Sequence, residues 1–123
     1  MSWSVAETNT HQDHVIAHVI GATPLAHFVR DETAFVMLDI GFIWNIYLDM
    51  QMGLLPERAA IGEFELVNAV WSQTSSVGPI ESVEVFEAGD ERRLELNCES
   101  GKLLIETSLK DRWTRIESAP IDS

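Results

Sequence analysis

Three histidines fall within eight residues of the stretch THQDHVIAHV: His11, His14 and His18. Imidazole is the commonest side-chain ligand for transition metals, and it also exchanges protons near neutral pH. Backbone shape decides which chemistry is open to them. On a helix, at about 100° per residue, all three fall within an arc of roughly 60°. His14 and His18 then form an i, i+4 pair, the spacing that zinc proteases use. On a strand the same pair shares a face but is separated by roughly 13 Å, too far for two bonds of about 2 Å to one ion.

Local sequence favours the strand. Val15, Ile16, Val19 and Ile20 are β-branched, and such side chains suit extended backbone. Gly21-Ala22-Thr23-Pro24 reads as a turn into a partner strand, LAHFV (25–29). For a helix, Thr10 and Asp13 have capping-box spacing, although Asp is not the usual closing residue. The zinc-protease pattern is also incomplete. It needs a Glu after the first histidine of the pair, where this chain has Val15, and only His27 or a carboxylate is on offer as a third ligand. The expectation is histidines on a sheet face, with no metal site and no cofactor.

Other chemistry is sparse. Cys98 shares an alternating apolar face with Leu94 and Leu96 and has no histidine or basic residue beside it. It reads as a small buried hydrophobe and not as a nucleophile. There is no Gly-rich phosphate loop and no nucleophile elbow. No catalytic residue is assigned, and a non-enzymatic role is favoured. A pocket in a curled sheet would use Trp44, Asn45 and Tyr47. Trp44, Trp71 and Trp113, with Met50 and Met52, otherwise read as core.

The elements that would carry these residues are mostly strands. Every even position from Ala34 to Leu48 is apolar, a period of two. A break at Asp39-Ile40-Gly41, with glycine in the left-handed position, keeps one face apolar across a hairpin. Residues 92–109 repeat the pattern. With Gly41 set against Gly101, Ala34, Val36 and Leu38 fall on Leu94, Leu96 and Cys98, and Asp39 falls on Glu99. Between the two units, Pro56 suits a helix start, and Ala60, Phe64, Val67 and Trp71 share a helical face. Gly62 weakens that helix, and a short helical turn followed by a strand is the competing reading. Residues 72–79 read as a linker, 111–118 as a last strand, and 118–123 as a fraying end.

The predicted fold is α+β and β-rich. It is a curled antiparallel sheet or partial barrel of seven or eight strands with one helix, built on two similar β-hairpin units. One domain spans 1–123: a strand-rich unit at about 13–50, helix and linker at about 56–79, and a second strand-rich unit at about 80–118.

Charge narrows the partners. Against 8 Lys and Arg stand 20 Asp and Glu, a formal net charge of -12. Such a surface repels phosphate, which disfavours nucleic acid and anionic membranes. The one cysteine points to no oxidising compartment, and 34–48 is too short to span a bilayer, so a soluble cytoplasmic protein is expected. Seven acids lie between 31 and 65, offset only by Arg58. Among them Asp31, Glu32, Asp49, Glu57, Glu63 and Glu65 are the candidate contacts for a basic protein partner. Size, acidity and strand pattern are broadly like those of small bacterial inhibitor or immunity proteins, an analogy of type only. A homodimer through a strand edge is the other association considered.

Overall fold

The computed structural model describes residues 2–74 and 76–120. Its strands are β1 (Ser4–Val5), β2 (Pro24–Arg30), β3 (Thr33–Leu38), β4 (Phe42–Ile46), β5 (Met52–Pro56), β6 (Ser72–Gln73), β7 (Ile80–Ala88), β8 (Glu91–Cys98), β9 (Gly101–Ser108) and β10 (Trp113–Pro120). Two helices are present, α1 (Thr10–Val19) and α2 (Glu57–Glu63). Among the described residues the strands make two five-stranded antiparallel sheets and no closed barrel. One, the N-sheet, has the order β5-β4-β3-β2-β6, and the other, the C-sheet, has the order β1-β7-β8-β9-β10. The fold is the expected β-rich α+β type. The two hairpin units are β2-β3-β4 and β7-β8-β9, each three consecutive antiparallel strands in its own sheet.

Alternation builds the core. Ala34, Val36, Leu38, Trp44 and Ile46 of the N-sheet and Leu94, Leu96, Cys98, Leu103 and Ile105 of the C-sheet join one buried cluster. Ala34, Val36 and Leu38 and their counterparts Leu94, Leu96 and Cys98 thus face the same interior, whereas Asp39 and Glu99 are both exposed. The hairpins differ in detail. Gly41 has φ +80° in a three-residue loop that pairs Met37 with Ile43, whereas Cys98 pairs directly with Gly101 around a two-residue turn.

The N-sheet is covered on its other face as well. Phe35, Ile43, Ala60 and Leu66 form a second buried cluster under α2, and Phe28, Phe64 and Trp71 pack against it. The helix is shorter than the 56–71 pattern suggests. Glu65 takes a left-handed conformation (φ 55°, ψ 47°), and the chain continues as a 3-10 turn over Leu66–Asn68. Phe64 and Trp71 still reach the cluster, but Val67 is left exposed.

The histidine segment is helical, against the expectation of a strand. The deciding signal is one residue upstream of the one read from sequence. The Asn9 side chain accepts the Gln12 N–H at 2.8 Å, and the Gln12 side chain accepts the Asn9 N–H at 2.9 Å. This is a complete capping box, which satisfies two orphan donors at once. Gln12 also donates to the Met50 carbonyl at 2.8 Å, and Val15 and Val19 are buried below it. Docking of that stripe outweighs the β-branched preference, as tertiary packing commonly does.

The expected linker at 72–79 contributes β6, although Ser75 lies outside the described residues. At the end, β10 pairs with β9 through Pro120, into the segment expected to fray. Residues 121–123 lie outside the described residues. No helix among the described residues is long and apolar enough to cross a membrane.

Candidate functional site

Where the β2–β3 turn meets the end of α2, the outer face of the N-sheet forms a hollow of about 520 Å3. Arg30, Asp31, Glu32, Phe35, Tyr47 and Glu65 are among the residues that line it. Arg30 assembles it by donating to the Phe64 carbonyl at 2.8 Å and the Glu65 carbonyl at 3.2 Å. Those carbonyls follow the last turn of α2, where helical acceptors have run out of partners. The aromatic floor is fixed by mutual packing. Phe35 stacks on Phe28 with centroids 4.9 Å apart and meets Phe64 edge-on at 5.2 Å.

The carboxylates of the hollow have different roles. Glu32 is a clamp: Tyr47 donates its hydroxyl to it at 2.7 Å, and Arg112 grips it through two bonds of 2.9 and 2.7 Å. The Tyr47 hydrogen bond and then the Arg112 contacts hold the Glu32 carboxyl below its ordinary range, so it stays charged and is no proton donor. Thr114 donates to the Glu32 carbonyl as well, which ties the β2–β3 turn to β10. Asp31 and Glu65 are exposed and have no ion-pair partner among the described residues. Both adopt positive φ, 54° and 55°, without being glycine. Two unpaired carboxylates in one hollow with Phe35, Tyr47 and Phe64 suit a guanidinium or ammonium group.

The other candidate residues are dispersed. Glu57 and Glu63 stand exposed at the two ends of α2, which covers the same outer face through Ala60. Asp49 lies apart, paired with Arg92 at 3.2 Å beside a separate hollow that includes Glu7 and Gln12. Trp44 is fully buried between the sheets, while Asn45 and Tyr47 point to the opposite face. The Asn45 amide lies over Gly53, where an added Cβ would come within 3.2 Å of it. Cys98 is buried; burial first and the charge of Glu81 second push its thiol up to about 11, so it is not a thiolate at neutral pH.

A ladder on the outer face of the C-sheet is missing from the sequence reading. Glu106, whose side chain is only 4% exposed, pairs with Arg93 at 2.6 Å and Arg115 at 2.7 Å. Arg93 lies over Trp3 and Arg115 over Trp113, at 4.5 and 4.9 Å from the ring centroids. Register creates it, since Glu106 stands opposite both arginines. Period two could reveal the shared face, but not the pairing.

No protein-family model, no curated protein and no solved structure matches this chain.

Proposed function

We propose that the protein is a non-enzymatic binding protein whose N-sheet outer face takes up a cationic protein segment, in the manner of a small inhibitor. The observation that carries this reading is the placing of the unpaired carboxylates Asp31 and Glu65 at one aromatic-floored hollow. The distribution of cations supports it. Arg92, Arg93, Lys102, Arg112 and Arg115 are engaged in ion pairs within the chain, and Arg30, which lines the hollow, is held on the Phe64 and Glu65 carbonyls. Glu57 and Glu63 extend the negative face along α2, where they steer a basic partner and add little affinity each.

An arginine-rich peptide is the probe. Titrated into the protein at about 50 mM salt, it should shift the amide resonances of Asp31, Glu65 and Phe64, and the shifts should fade towards about 500 mM as exposed charge is screened. Asp31→Asn with Glu65→Gln should weaken binding, and Asp49→Asn should not. Shifts spread evenly over every acidic surface, or an affinity indifferent to salt, would sink the reading.

A further inference from the structure

The helical form of α1 reopens the chemistry that a strand would forbid. His11, His14 and His18 line a groove of about 320 Å3 whose other walls include Ile40, Phe42 and Leu54. His11 Nε2–H donates to the Met52 carbonyl at 2.9 Å. That bond, with Gln12 on the Met50 carbonyl, fixes the helix so that the histidine stripe faces the groove. His11 is thereby a positioning residue. His14 and His18 are both exposed and have no hydrogen-bond partner among the described residues. Their i, i+4 spacing brings both rings to one side of one helical turn.

We propose that His14 and His18 form a two-imidazole site for a borderline divalent transition ion such as zinc, nickel or copper(II). Among the described residues no group of three or more His, Cys, Asp and Glu side chains forms a ready-made cage. The ion is therefore held by two protein ligands, and water completes its coordination. Neutral imidazole suits these ions and not calcium or magnesium, which take oxygen ligands. The formal net charge of -12 raises the local concentration of any cation. Apolar Ile40, Phe42 and Leu54 limit competing water on the far side of the groove. The site makes no use of Asp31 or Glu65, so it stands or falls separately from the cationic-partner reading.

The test is calorimetric titration of the tag-free full chain with nickel(II) chloride and, separately, zinc chloride, with calcium chloride as the control ion. One equivalent of nickel or zinc should bind and calcium should not. Replacing His14 and His18 together by alanine should weaken binding at least about tenfold, the scale on which even outer-shell changes act. Alanine is the best helix former, so that loss would not reflect a melted helix. His27→Ala, altered on β2, should bind as the parent does. Nickel should broaden amide signals around residues 14–18 first. Undiminished binding in the double variant, no binding at about 1 mM ion, or broadening centred elsewhere would each overturn the site.

Discussion

Glu65 and Asp31 keep a backbone conformation that costs a non-glycine residue about 1–2 kcal/mol. Their side chains make no ion pair that would offset it, and both carboxylates lie at the hollow. Asp31 stands in the two-residue β2–β3 turn, which favours that conformation, whereas Glu65 takes it just past the end of α2, where glycine is the usual residue. Glu65→Gly should therefore raise the unfolding free energy by up to about 1 kcal/mol while weakening capture of the arginine-rich peptide. Chemical denaturation paired with the peptide titration checks both, and a variant that loses stability would refute the strain argument. Glu106 gives the opposite case. Burial raises its pKa, but hydrogen bonds from Arg93 and Arg115, aided by their charges, outweigh that and bring it below the ordinary 4.5. A depressed folded pKa means stability that is present above the unfolded value and lost as pH falls through the folded one. Melting curves should show that loss on acidification, and Glu106→Gln should flatten it. At neutral pH the substitution should cost about 2 kcal/mol, less than for a fully buried pair because Arg115 is largely solvated.

The elements show how far side-chain pattern reaches. β3, β4 and β8 were legible because each exposes alternate residues to one shared core, and period two is a local property of the chain. α1 was legible only through its Asn9–Gln12 capping box, a local signal that the β-branched run outweighed, and the docking of Gln12 against Met50 that settles the helix joins segments far apart in sequence. The hollow was legible only as a count of acids. Its shape needs Arg30 to bridge the β2–β3 turn to the end of α2, and no local period encodes that. If the box decides helix over strand, Asn9→Ala should destabilise the protein by about 1 kcal/mol. It should also speed amide exchange across residues 10–19 before any change in β3 or β8. Uniform acceleration throughout the chain would mean that α1 has no separate opening of its own.

At the scale of the whole molecule, charge acts in two directions at once. A formal net of -12 on 123 residues repels itself in the folded state. Opposing this are six ion pairs among the described residues, and in Arg112–Glu32, Arg92–Asp49, Arg115–Glu106 and Lys102–Glu95 at least one partner is 48% exposed or more. Exposed pairs contribute about 0–1 kcal/mol each. Salt screens both effects, but the repulsion is summed over the surface, whereas Glu106 is shielded by burial. The free protein should therefore melt at a higher temperature as salt rises from about 50 to about 500 mM, while over the same range the arginine-rich peptide should be released. Opposite signs in one salt series would separate the surface field from internal pairing. A melting temperature that falls with salt would mean that the pairs outweigh the repulsion, and the acidic excess would then have too weak a field to draw in a cationic partner.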